Sequence, residues 1–273
     1  MIKLVAEIGI NHNGDIGLAK RLIDIASIAG FNFVKLQKRT PELCVPKDQL
    51  NKMRQTPWGN IRYIEYKKRI EFDFDEYAEI SHYCKEKNIK WFASVWDLRS
   101  AHFMRDFSQI VKIPSAKIVD LELVKYCRNN FETVVMSTGM STEKQIETAI
   151  EVGNPDVIMH SNSAYPSPIQ ELSIHYISWL KNKYPEKQIG YSGHEKGLLP
   201  TLGTVYLGVD WIERHVTLDK GMWGSDQQSS IDMVEMIKMV KEVRTLELSI
   251  GGYKERKIFD SEIEKLKSLR GTE

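Results

Sequence analysis

QIGYSGHEKGLLPTLGTVYLGVDWIERHV, residues 188–216, contains two short apolar, strand-like runs, 188–193 and 210–216, on either side of a stretch of helical period at 198–207. A strand, a helix and a second strand in so short a span form a βαβ unit. Its two strands run parallel because the helix returns the chain to the starting edge. Each run closes on a histidine: His194 follows Gly193, and His215 precedes Val216. Adjacent parallel strands deliver their C-terminal ends to one place. The two imidazoles can therefore hold one divalent ion and leave positions open for substrate.

The same alternation extends outward through the chain. Strand runs are expected at 3–10, 31–37, 90–96, 109–115, 133–138, 156–161, 188–193 and 210–216. Helical patterns fall between them at 16–29, 73–88, 98–107, 120–129, 141–152, 171–184, 198–207 and 230–250. Asp73, Asp120 and Ser141 stand where helices should start, and Gly30, Gly153 and Gly208 where they should stop. Eight βα units predict a closed (β/α)₈ TIM barrel, an α/β fold in one domain spanning 1–251, followed by a charged tail, 252–273, with a surface helix near 261–269. A doubly wound sheet is disfavoured, since the GxGxxG fingerprint of dinucleotide folds is absent. Residues 38–72 are long, charged and aromatic for a βα connection, which predicts a lid or an oligomer contact over the barrel mouth.

Composition narrows the function classes. Hydrophobic residues make up 42% of the 273, enough for an extensive core. Lysine and arginine (38) balance aspartate and glutamate (37), so no global field favours nucleic acid or a membrane surface. Three scattered cysteines, Cys44, Cys84 and Cys127, argue against a disulfide framework and a CxxC metal site. No apolar run approaches the roughly 20 residues needed to cross a bilayer, and the start lacks the form of a signal peptide. A soluble, cytoplasmic protein is expected.

In a TIM barrel the reactive groups sit where strands run into βα loops. The polar residues there are Glu7, Asn11 and His12; Lys35 and Gln37; Asp97; Ser115 and Lys117; Ser137; His160, Asn162 and Ser163; Ser192 and His194; and His215. Of seven histidines, His82, His102 and His175 fall in helical patterns, and a lone histidine is usually a hydrogen-bonded structural residue. His194 and His215 differ because they come from consecutive strands; with only two protein ligands, Mn²⁺ or Mg²⁺ suits the site better than Zn²⁺. Lys35, Lys112, Ser115, Ser137 and Ser192 form a second constellation, two ammonium groups with several hydroxyls, suited to a phosphate or carboxylate. The plainer alternative is that Glu7 pairs with Lys35 or Lys112 only to satisfy buried charge.

Seven segments, AEIGINHNG, FVKLQ, KIPSA, STGMS, MHSNSAYPSP, IGYSGHEKG and IERHVTLDKGMWGSDQQSS, resemble the sialic acid synthase family in this order, from Glu7 to about Ser230. Members condense phosphoenolpyruvate with an aldose to make a 3-deoxy-2-ulosonic acid. The resemblance implies that His194 and His215 are metal ligands and that Glu7 is an acid/base, with Asp226 a second catalytic candidate. It assigns Lys35, Lys112, Ser115, Ser137 and Ser192 to phosphoenolpyruvate, and Gln37, Tyr165 and Asp226 to the sugar; Ser163 in the phosphate region and Lys117 near the acceptor join them as candidates by position. A homo-oligomer is implied as well.

Departures from the family pattern bear on the acceptor. Lys117 stands where better-known members carry a glutamate, Gln227 where some carry histidine, and Ser163 where an asparagine is usual. The chain reads as a short form without the C-terminal antifreeze-like domain that supplies an arginine to the N-acyl group. Within an N-acetylneuraminate synthase-like reading, poor use of N-acetylmannosamine is expected and better use of an acceptor without the N-acyl group, one option being a sugar whose carboxylate or phosphate Lys117 can meet. The alternative is that a partner chain or the 38–72 loop replaces the missing contacts and preserves the usual substrate. Two other readings compete: a synthase of the 3-deoxy-octulosonate 8-phosphate type, and a non-catalytic sugar-phosphate binding barrel.

Overall fold

The computed structural model describes residues 1–251, 255 and 257–271. In chain order the elements are β1 (Lys3–Gly9), α1 (Ile16–Ala29), β2 (Phe33–Lys38), α2 (Pro41–Cys44), β3 (Met53–Thr56), β4 (Gly59–Arg62), α3 (Tyr63–Arg69), α4 (Phe74–Glu86), β5 (Lys90–Val95) and α5 (Leu98–Met104). They continue with β6 (Ile110–Ile113), α6 (Leu121–Asn130), β7 (Thr133–Ser137), α7 (Glu143–Gly153), β8 (Val157–Ser161), α8 (Tyr176–Lys183), β9 (Gln188–Gly193), α9 (Leu199–Tyr206), β10 (Trp211–His215), α10 (Met233–Ile250) and α11 (Ile263–Arg270). Eight strands close into a barrel in the order β1-β10-β9-β8-β7-β6-β5-β2, every pair parallel. This is the expected (β/α)₈ architecture.

Local chemistry sets the element ends. Asp15 accepts a hydrogen bond from the Leu18 N–H to start α1, and Gly30 ends it at φ 91°. Asp73 and Asp232 open α4 and α10 with reciprocal capping boxes. The cap of α7 is Thr142, paired with Gln145, one residue beyond the expected Ser141. The predicted strand 109–115 stops at Ile113, because Pro114 has no N–H to continue the ladder and Ser115–Lys117 turns into a 3₁₀ helix. The predicted helix 171–184 begins only at Tyr176, since Ser173 adopts φ 44° and breaks the right-handed run. The tail helix is α11; positions 252–254, 256, 272 and 273 of the predicted tail lie outside the described residues.

Most of the core lies between the barrel wall and the helices, where both strand faces are covered. A smaller apolar plug, Val5, Phe33, Phe92, Val135, Val157, Met159 and Trp211, fills the barrel interior. Side chains two residues apart on a strand share a face, so the next inward layer follows directly. Val5 leads to Glu7, Phe33 to Lys35, Phe92 to Ser94, Val135 to Ser137 and Trp211 to Glu213. A charged layer thus sits on an apolar floor at the C-terminal end of the barrel.

The 38–72 connection folds as α2, the antiparallel hairpin β3–β4 and α3. Tyr66 and Trp58 pack on Trp223, with ring centroids at 5.0 and 6.3 Å, joining this insert to the loop after β10. No helix among the described residues is long and apolar enough to cross a membrane.

Candidate active site

A cavity of about 280 Å³ opens above the charged layer and is lined from nearly every strand end. A larger groove of about 620 Å³ lies at the other end of the barrel, between the strand starts Lys3, Phe33 and Lys90, away from the carboxylates and histidines.

At the bottom of the cavity two lysines and two glutamates interlock. Lys35 Nζ lies 2.6 Å from Glu7 Oε2 and 3.5 Å from Glu213 Oε1, and donates to Ser94 Oγ at 2.6 Å. Lys112 Nζ lies 2.8 Å from the same Glu213 Oε1. All four charged side chains are at most 4% exposed. Burial pushes the Glu213 carboxyl up, but Lys112 and Lys35 together outweigh it and hold it down at about 2. Burial lowers the Lys112 ammonium, and its second cause is the opposing pull of Glu213. The group is charge-balanced yet incompletely bonded: Glu213 Oε2 and the nearby Ser137 Oγ have no hydrogen-bond partner, while Glu7 Oε2 meets only the Lys35 ammonium. Such orphaned buried atoms mark a place prepared for a polar ligand.

Hydroxyls and a backbone amide rim one side. Ser192 Oγ donates to Glu213 Oε1 at 3.3 Å, and the Gly139 N–H donates to Ser115 Oγ at 3.0 Å. Gly139 has a steric reason: a Cβ there would stand 2.2 Å from Ser163 Oγ and 2.9 Å from Ser115 Oγ. On another side Gln37 Nε2 donates to Glu7 Oε1 at 3.0 Å. Gly9, at φ +56°, lets the backbone pass where a Cβ would come within 3.2 Å of both Gln37 Nε2 and Glu7 Oε1.

Above Glu213, the rings of His194 and His215 lie 5.3 Å apart, and Tyr165 packs on His194 at 4.2 Å. His194 Nδ1 lies 2.6 Å from the Asn162 carbonyl oxygen. That bond requires a proton on Nδ1 and leaves the Nε2 lone pair free, the arrangement of a metal-ligating histidine. Burial, with His215 beside it, holds the His194 imidazole down at about 3 and therefore neutral. His215 Nδ1 is buried without a hydrogen-bond partner, 3.7 Å from Asp226 Oδ2. The free Nε2 of His194 and the unpartnered Nδ1 of His215 fit part of a metal's coordination shell. No group of three or more His, Cys, Asp or Glu among the described residues forms a full cage, so the other positions would fall to water and substrate oxygens.

The structure brings together Glu7, Lys35, Gln37, Lys112, Ser115, Ser137, Ser163, Tyr165, Ser192, His194 and His215 around this one cavity. Asp226 stands behind His215. Lys117 is not among the lining residues; its Nζ lies 3.9 Å from Asp120 Oδ2. His12 stacks on Phe72 at 4.1 Å and accepts from the Gly14 N–H, while His160 bonds the Leu172 carbonyl oxygen at 2.7 Å. Asp97 caps α5 and holds Thr40. Sequence reasoning missed Glu213, the hub of the charged layer. Its signal was the spacing Glu213-x-His215, which places both on the inward face of β10.

The sequence profile of the NeuB family matches residues 22–255. An N-acetylneuraminate-9-phosphate synthase of Drosophila melanogaster is 35% identical over 256 residues, 91% of this chain and 68% of that protein. An N,N'-diacetyllegionaminic acid synthase of Campylobacter jejuni is 30% identical over 262 residues, covering 91% and 77%. The crystal structure of the N-acetylneuraminic acid synthetase of Leptospira borgpetersenii superposes with a TM-score of 0.85 at 29% identity, covering 99% of this chain and 93% of that one. With its barrel, its cavity and these relatives taken together, the chain belongs to the NeuB family.

Proposed function

We propose that this protein condenses phosphoenolpyruvate with an aldose to form a 3-deoxy-2-ulosonic acid of the sialic acid type and inorganic phosphate. The single observation that carries the reading is the pairing of two cations, Lys35 and Lys112, with a histidine pair inside one cavity. Lys35, Lys112, Ser115, Ser137, Ser163 and Ser192 would bind the phosphate and carboxylate of phosphoenolpyruvate through charge-assisted hydrogen bonds. Gln37 and Tyr165 would bound the sugar, with Asp226 beside His215.

In the reaction the methylene carbon of phosphoenolpyruvate bonds to the aldehyde carbon of the open-chain sugar, and positive charge develops at the enol carbon. Water adds there and loses a proton, the alkoxide gains one, and phosphate departs by cleavage of the carbon-oxygen bond. Glu7 is the acid/base for one of these transfers, held in place by Lys35 and the Gln37 amide. His194 and His215 would hold Mn²⁺ or Mg²⁺, which when bound supplies Lewis-acid polarisation of the aldehyde oxygen. The cysteines Cys44, Cys84 and Cys127 are all free, which suits a reducing cytoplasm.

Mixing the protein with phosphoenolpyruvate, Mn²⁺ and a panel of aldoses, and measuring phosphate and ulosonate together, tests the reading. Equal amounts of both products with at least one aldose are expected. Phosphate without ulosonate, or neither product with any aldose, would refute it.

A further inference from the structure

The 38–72 insert holds a buried cation that the reaction above does not use. Lys67, in α3, is only 8% exposed and makes no ion pair with any described residue. Its ammonium rests against the Tyr63 and Tyr66 rings, 5.3 and 5.0 Å from their centroids. The nearby carboxylate Glu71 is already taken: Arg39 Nε lies 3.2 Å from it and Lys38 Nζ 3.7 Å. Arg39 is itself buried, stacked 4.5 Å over Trp96, and donates from Nη2 to Gln37 Oε1. Gln37 and Trp96 both line the cavity. Lys38 and Arg39 thus share one carboxylate, Glu71, which makes no ion pair with Lys67 and acts on it, as Asp226 does, only at longer range.

Taking a charge out of water is costly unless an opposite charge meets it, and cation-π contacts return only part of that cost. Burial, with Arg39 adding to it, lowers the Lys67 ammonium to about 8, so it is still charged at neutral pH. Arg39 bonds Gln37 of the cavity wall, and Tyr66, next to Lys67 in α3, packs on Trp223, three residues before the Asp226 that stands behind His215; these contacts set the cluster at the sugar's end of the site.

We infer that Lys67, backed by Arg39, forms an anion-binding subsite at the cavity rim that receives a phosphate or carboxylate on the sugar acceptor. The inference rests on the synthase reading for the identity of the ligand, and it moves the anionic contact expected of Lys117 to the 38–72 insert. The insert would thus set acceptor charge, a role separate from the phosphoenolpyruvate pocket below it.

The test compares wild type, Lys67→Met and Lys67→Arg with N-acetylmannosamine, N-acetylmannosamine 6-phosphate and a hexuronate at saturating phosphoenolpyruvate. Lys67→Met should raise the apparent KM for one anionic acceptor roughly tenfold more than that for the neutral sugar, and Lys67→Arg should restore most of it. Selective loss with the phosphorylated sugar identifies a phosphate site; selective loss with the hexuronate identifies a carboxylate site. Equal changes for charged and neutral acceptors, or no change, would overturn the subsite. Should the wild type turn over none of them, the wider aldose panel above decides the synthase reading, and calorimetric titration with the 6-phosphate and the hexuronate decides the subsite alone. Binding of either by wild type that Lys67→Met weakens tenfold supports it, and binding insensitive to the substitution, or no binding, rejects it. Thermal melts of both variants separate these outcomes from misfolding.

Discussion

Glu213 Oε1 lies 2.8 Å from Lys112 Nζ across the barrel interior, although 101 residues separate the two along the chain. The same oxygen lies 3.5 Å from Lys35 Nζ, so one carboxylate is the counter-charge of two buried ammonium groups. Exchanging the carboxylate for a carboxamide would keep the shape and remove the charge. Breaking a buried pair in this way costs about 3 to 5 kcal/mol. Glu213→Gln should lower the melting temperature in the absence of ligand, and phosphoenolpyruvate should raise it more in the variant than in wild type, because the ligand's anions replace the lost charge. Calorimetric melts with and without phosphoenolpyruvate check this; an unchanged apo melting temperature would show that Lys35 and Lys112 do not depend on Glu213.

Lys112 should matter for phosphoenolpyruvate rather than for the sugar. Its Nζ reaches Ser192 Oγ at 3.4 Å, on the hydroxyl side of the cavity. Loss of one charge-assisted contact costs about 1.5 to 3 kcal/mol, or roughly tenfold to more than a hundredfold in affinity. Lys112→Met is therefore expected to raise the apparent KM for phosphoenolpyruvate by that factor with a much smaller effect on the sugar KM. Steady-state kinetics with each substrate varied in turn would expose the opposite pattern.

The histidine pair predicts dependence on a divalent ion. Both imidazoles end strands above the apolar plug, so His194→Ala and His215→Ala should fold with near-native melting temperatures yet lose turnover and bind Mn²⁺ more weakly. Excess chelator should abolish wild-type activity, and added Mn²⁺ should restore it. Full activity in chelator, or unaltered Mn²⁺ binding by both variants in a direct titration, would remove the metal from the proposal.

Much of this arrangement was legible from the strands. Inward and outward residues alternate with period two, so once Val5, Phe33 and Trp211 are placed in the plug, Glu7, Lys35 and Glu213 must face the same interior one layer higher. The histidines stood out because they follow glycine or close a strand. Glu213 did not, since an acidic residue in a run such as IERHV reads equally well as an outward, solvated position. Lys117 was misleading for a related reason: Pro114 ends the ladder, and the 3₁₀ turn at Ser115–Lys117 rotates successive side chains in a way that strand alternation does not describe. The Lys67 environment was illegible because it depends on how the 38–72 insert packs on Trp223 and Trp96, contacts between segments far apart in sequence. Helix ends deviated where a local dihedral decided them, as at Ser173.

His12 gives the fold a measurable response to acid. The ring is 2% exposed, stacked on Phe72, and its Nδ1 accepts from the Gly14 N–H at 3.1 Å. An accepting nitrogen must be unprotonated, and burial holds the imidazole down at about 3 from an ordinary 6.5. Between those two values the unfolded chain binds a proton that the folded chain does not, so stability falls as pH falls through this window. The slope for one group is about 1.4 kcal/mol per pH unit, so His12 alone removes about 2 kcal/mol between pH 6.5 and pH 5. Above pH 6.5 both states are neutral at this site and the contribution is constant. Urea denaturation of wild type and His12→Phe at pH 7.5, 6 and 5 measures the effect. The variant should be less stable at pH 7.5, having lost the acceptor for Gly14, yet its stability should decline less steeply between pH 6 and 5. Parallel declines in the two proteins would mean that His12 accepts a proton without unfolding.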